Sequence, residues 1–148
     1  MKNITHIDCT LRDGGYYNNW DFPRKLIIEY ISAMVAASVD IVELGFRSFN
    51  IKGYQGPCAY TTDQFLKGLA LPESITVAVM VNAAELINHQ SGASKAASLL
   101  FSRRSESPVS MVRIACHVHE VDATLPACDW LVEAGYRVGL NLMQVADR

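Results

Sequence analysis

The chain has 148 residues, a formal net charge of −2 and a composition that is 50% hydrophobic, enough for one ordinary domain with a sizeable core. Acidic and basic residues are scattered rather than blocked, so the sequence carries no electrostatic footprint for nucleic acid or an anionic membrane. The apolar runs are short and broken by charge, and the N-terminus, Met-Lys-Asn-Ile-Thr-His, lacks a signal-peptide core, which leaves cytoplasmic residence as the expectation.

Taken in order, residues 5–11 read as a first strand, running into Arg12, Asp13 and a glycine pair, Gly14-Gly15, that reads as a tight turn. Asp21-Phe22-Pro23 reads as a helix start with Asp21 as its N-cap. Ile27, Tyr30, Ile31, Met34 and Val35 then fall at helical spacing to about Ala37. A second strand at 40–46 carries one charge in its interior, Glu43, before a polar, glycine-containing loop at 47–62 and a short helix near 63–69. The third strand, 75–82, is a continuous β-rich run of the kind covered on both faces. Helix follows over 83–100, interrupted near Ser91-Gly92, then strand four at 110–117, a helix at 122–134 stopped by Gly135, and strand five at 136–143.

Strands alternating with helices predict an α/β fold with a parallel sheet and right-handed crossovers. A fifth strand with no helix behind it leaves an unpaired edge, so residues 1–148 are expected to be part of a longer domain and, taken alone, to self-associate through their strand edges. Cys9, Cys58, Cys116 and Cys128 show no Cys-x-x-Cys spacing, and several lie in apolar patterns, so neither a structural disulfide nor a zinc knot is expected.

Charges inside apolar strands are costly unless paired, which predicts that Asp8, Arg12, Asp13, Glu43 and Arg113 converge across a shared interior. Period-two alternation groups His6, Asp8, Thr10 and Arg12 on one face of the first strand, Glu43 with Ile41 and Gly45, and Arg113 with His117. Asn141 stands near Gly139 in strand five. Arg113, in mid-strand, reads as a structural ion pair; Arg12, Asp13 and Glu43, beside glycines at strand ends, read as functional, since that is where α/β sheets build their sites. His117-Val-His119 has a spacing that suits a divalent metal, but His119 falls where strand four gives way to a helix and reads as a loop or capping residue. His117 alone reads equally as site or core. No Gly-x-Gly-x-x-Gly, P-loop or serine elbow supports an NAD, ATP or esterase reading.

Asp8-Cys-Thr-Leu-Arg-Asp-Gly14, with Glu43 in Val-Glu-Leu-Gly-Phe, resembles the metal-dependent lyases and aldolases whose first barrel strand ends in Thr-Leu-Arg-Asp-Gly. These are hydroxymethylglutaryl-CoA lyase, isopropylmalate and homocitrate synthases, and 4-hydroxy-2-oxovalerate aldolase. Val112-Arg-Ile-Ala-Cys-His117 and 135–143 look like strands four and five of the aldolase branch. The resemblance implies the N-terminal part of a (β/α)₈ TIM barrel. Asp13 would bind Mn²⁺ or Mg²⁺, Arg12 would stabilise the enolate of a pyruvate-like fragment, and Glu43 would orient Arg12; Gly14, His117 and Asn141 would contact a 2-oxo acid substrate. Carbon–carbon cleavage beside a carbonyl develops an enolate oxyanion that a metal and a guanidinium can share.

Two departures stand out. Where the resemblance places a histidine or glutamine, three residues after the metal aspartate, this chain has Tyr16, which can donate or relay a proton but is a poor base at neutral pH. The His-x-His metal pair of such barrels lies on a seventh strand, and a complete barrel takes about 250 residues. Residues 1–148 alone are therefore expected to be inactive. The alternatives are a Claisen-type acyltransferase of the isopropylmalate synthase kind and a non-catalytic half-barrel interaction domain.

Overall fold

The computed structural model describes residues 4–49 and 51–146. Its strands are β1 (Ile7–Asp8), β2 (Ile41–Phe46), β3 (Thr76–Asn82), β4 (Val109–His117) and β5 (Arg137–Met143). They lie side by side in chain order, each parallel to the next, as a curled α/β half-barrel. The connecting helices are α1 (Thr10–Gly14), α2 (Arg24–Ala36), α3 (Asp63–Lys67), α4 (Ala83–Ile87), α5 (Ala93–Leu100) and α6 (Val121–Glu133).

The alternation of the strands separates two faces. Outward, Val42, Leu44, Val79, Val81, Val112, Ile114 and Cys116 form the main core with Ile27 and Ile31 of α2, Leu86 of α4, Ala96 and Ala97 of α5 and Leu131 of α6. Inward, a small apolar patch of Phe46, Met80 and Ala115 lies beside Trp20 and Met143. The predicted stripe on α2 is observed: Ile27 and Ile31 are buried, and Tyr30, Met34 and Val35 pack against the core. Gly135 ends α6 at φ +97°, with Gly135 N–H donating to Val132 and Tyr136 N–H to Leu131, a left-handed helix stop that strains any residue bearing a Cβ.

Three local expectations are corrected. Strand one ends at Asp8, because Asp13 N–H bonds back to the Cys9 carbonyl at 2.9 Å and winds 10–14 into a helical turn. Gly14 and Gly15 are accordingly helical rather than a tight turn, Gly15 opening a 3₁₀ turn through Tyr17. Asp21 does not cap α2, whose N-cap position is Pro23; the Asp21 carboxylate instead accepts the Tyr54 hydroxyl. A bulge also interrupts β2, where Glu43 pairs with Ala78 and Phe46 with Met80. The extra residue brings Phe46 to the inward face, a place simple alternation assigns to Gly45. Cys9, Cys58, Cys116 and Cys128 are all free thiols. No helix among the described residues is long and apolar enough to cross a membrane.

Candidate active site

Because α1 starts directly after β1, Arg12 reaches the inward face from a helical turn rather than from a strand. Its Nε donates to Glu43 Oε1 at 2.8 Å, and its Nη1 to Asp13 Oδ1. Glu43 is completely buried, and its second oxygen accepts Arg113 Nη1 at 3.1 Å. Arg113 Nη2 in turn donates to Asn141 Oδ1 at 2.6 Å, and its Nη1 lies 3.3 Å from Cys9 Sγ. Gly139 pairs with Arg113 across the ladder.

One buried carboxylate thus serves two guanidinium groups, each partner satisfying what the other's desolvation would leave exposed. Burial by itself would lower the pKa of Arg12, but the hydrogen bond and charge of Glu43, with Asp13, outweigh it and hold the guanidinium charged. Burial, reinforced by Glu43, pushes the Cys9 thiol up and keeps it neutral. Among the described residues, hydrogen bonds occupy Nε and Nη1 of Arg12 but not Nη2.

Of the charges expected to converge, Arg12, Asp13, Glu43 and Arg113 do, and Asp8 does not. Asp8 faces outward, where its carboxylate accepts the Tyr30 hydroxyl at 2.5 Å and the Thr10 N–H at 2.9 Å. These bonds outweigh the upward push of burial and lower its pKa. The inward member of this segment is Cys9, so the polar and apolar faces assigned to strand one are exchanged at the site. Arg113 forms the ion pair expected of it, and its partner is Glu43, which it shares with Arg12.

Tyr16 is 65% exposed and stands edge-on to Trp20 and Phe46, with ring centres 4.8 and 6.2 Å away. The three aromatics line a cleft of about 100 Å³ with Ser48, Ile51, Ala59, Asn82 and Glu85. Arg12 Cζ lies over the Phe46 ring, 5.9 Å from its centre, so one aromatic side chain borders both the cleft and the guanidinium. Trp20 Nε1 donates to the Arg12 carbonyl at 2.9 Å. Gly15 makes this possible: a Cβ there would lie 1.9 Å from the indole, whereas Gly14 has open space to 3.8 Å. Gly15 is therefore the glycine of the pair that the geometry requires. Trp20 is missed by pattern reading, although an indole in the polar run Tyr16-Tyr-Asn-Asn-Trp20 was a visible signal.

His117 closes β4, and its ring stacks on His119 with centres 5.5 Å apart and planes 10° from parallel. Its backbone N–H donates to Glu120 at 2.8 Å, and His119 lies in the 3₁₀ turn that follows, as expected of a loop residue. Neither imidazole bonds to the Arg12 cluster. Among the described residues, no three His, Cys, Asp or Glu side chains are grouped to hold a metal ion. Asp13, whose Oδ1 accepts from Arg12 and whose side chain is otherwise exposed, could supply one ligand of the divalent site that the resemblance implies, and no others are grouped with it among the described residues. A second cavity, about 600 Å³, lies between α3 and the segment after α5; the arginine lining it, Arg47, is already neutralised by Asp63 at 2.7 Å and covered by Phe101.

No protein-family model and no curated protein matches the chain. A solved structure does: the N-terminal domain of a "putative aldolase" from Bacteroides vulgatus, 32% identical, with a TM-score of 0.78 over 97% of this chain and 46% of that one. This chain therefore spans about half the length of the protein it matches. The fold of residues 4–49 and 51–146 is related to that of an aldolase.

Proposed function

We propose that the chain carries the enolate-stabilising half of an aldolase-type carbon–carbon lyase that acts beside the carbonyl of a 2-oxo acid. The observation that carries this reading is the Arg12 guanidinium, fixed through Nε by fully buried Glu43. With Nε held by Glu43 and Nη1 by Asp13, Nη2 is left for an oxygen of the substrate. In retro-aldol cleavage of a 4-hydroxy-2-oxo acid the 4-hydroxyl gives up its proton and becomes an aldehyde carbonyl as the bond between carbons 3 and 4 breaks. That bond's electron pair forms the enolate double bond, the π pair of the 2-carbonyl moves onto its oxygen, and a donor already in position stabilises that oxyanion without reorganising. Likeness to an aldolase domain at 32% identity supports the same class.

In this reading Arg12 binds the oxyanion, Glu43 orients it, and Tyr16 at the mouth of the aromatic cleft relays a proton. Gly14 and the His117 end of β4 border the substrate. Mn²⁺ or Mg²⁺ enters the proposal with Asp13 as one ligand and the others from outside the described residues, and no step here runs through it.

The test is to incubate the full-length protein, with either cation, with 4-hydroxy-2-oxo acids and separately with a 2-oxo acid and acyl-CoA. Pyruvate release that falls about 10²- to 10³-fold in Arg12→Lys supports the proposal. Thiol release from acyl-CoA in its place supports the Claisen alternative. Neither activity, or one unchanged in Arg12→Lys, would falsify the reading and favour a non-catalytic half-barrel.

A further inference from the structure

We infer that Arg113, supported by Asn141, is a positioning residue that keeps Arg12 available to substrate; this rests on the enolate reading above. Glu43 has two oxygens and two claimants. Oε1 holds Arg12 Nε at 2.8 Å and Oε2 holds Arg113 Nη1 at 3.1 Å. A lone carboxylate facing a lone guanidinium closes on it bidentately, which uses up two of the arginine's donors and cancels its charge. Arg113 occupies the second oxygen and so limits Glu43 to a single bond with Arg12, which keeps Nη2 out of the pair.

Charge points the same way. Glu43 and Asp13 against Arg12 and Arg113 sum to zero, whereas without Arg113 the cluster would carry a net negative charge where an oxyanion has to form. Arg113 cannot itself swing toward substrate without losing Asn141, which holds Nη2 at 2.6 Å from the neighbouring strand. The part played by β4 and β5 is therefore to set the aim of a residue on α1. Arg113 acts through Glu43 and touches no reacting atom.

The probe is oxalate, the planar dianion that copies a pyruvate enolate, titrated calorimetrically into the full-length protein with Mn²⁺ present throughout. Arg113→Met is expected to weaken oxalate about tenfold, Asn141→Ala about threefold, and Arg113→Lys, which keeps the charge, less than Arg113→Met. A second readout needs no ligand. The Arg12 Nε–H proton, assigned in ¹⁵N spectra by its loss in Arg12→Lys, should shift in Arg113→Met and Asn141→Ala while the thermal midpoint of Asn141→Ala stays near that of the wild type. Oxalate affinity and an Arg12 Nε–H signal that are both unchanged in Arg113→Met would overturn the positioning role. Wild-type protein that binds no oxalate overturns the enolate reading itself and this role with it, an outcome distinct from wild-type binding that the variants leave intact.

Discussion

The two faces of the half-barrel are made by the same strands and do opposite work. The outward face is an apolar layer packed by helices, and its side chains are mostly interchangeable in kind: valine, leucine, isoleucine and alanine, with Cys116 among them. The inward face holds Glu43, Arg113 and Asn141 on three different strands, joined by named bonds to Arg12 on α1, among a few buried apolar side chains that include Ile41, Ala78, Phe46, Met80 and Ala115. Burial on the outward side therefore needs volume and apolarity, while burial on the inward side needs a specific partner at a specific oxygen.

Substitutions can break that contrast in order of size. Glu43→Ala should cost about 4 kcal/mol in urea unfolding, since it strands Arg12 and Arg113 without their shared anion; Glu43→Gln, which keeps the shape, should cost less. Leu131→Ala on the outward side should cost about 3 kcal/mol, by lost contact and a cavity, and should leave any activity at Arg12 in place. Gly15→Ala forces a Cβ into the Trp20 indole and should cost about 2 kcal/mol, while Gly14→Ala should be nearly neutral.

A pH dependence separates Asp8 from the site. Its folded-state pKa is lowered from 3.8, so its bonds to Tyr30 and Thr10 add stability above that value and lose it as pH falls through the lowered one. Asp8→Asn should then cost about 1 kcal/mol at neutral pH, with the difference vanishing in strong acid. The smallest effect belongs to Leu142, on the outward face of β5 but 47% exposed. Leu142→Ser should change stability by no more than about 0.5 kcal/mol, against the larger loss at Leu131 on the same side.

The strand–helix order was legible because each element announces itself locally: the stripe on α2, the β-rich run of β3, and the glycine stop at Gly135. The partners at the site were partly legible, since charge inside an apolar strand demands compensation, and Glu43 and Arg113 do compensate each other. What alternation could not convey was where it fails. A backbone bond from Asp13 to Cys9 turns the end of strand one into a helix, which sends Asp8 outward and Cys9 inward, and a one-residue bulge moves Phe46 to the face of Glu43. Both are departures from a period of two, invisible to any reading that assumes it. The pairing of Trp20 with the Arg12 carbonyl depends on a glycine's missing side chain, and an absence leaves no pattern to read.

The Trp20 contact has an optical consequence. The chain has two tryptophans, and one of them hydrogen-bonds through its indole N–H to the backbone of the proposed oxyanion-binding residue while the other, Trp130, lies in α6 against the outward core. Indole emission responds to its hydrogen bond and to nearby charge, so in a Trp130→Phe background the remaining signal would come from a fluorophore built into the site. Oxalate titrated into that variant would then be followed by a change in emission with no label attached, and a Trp20→Phe protein would be silent to the same titration.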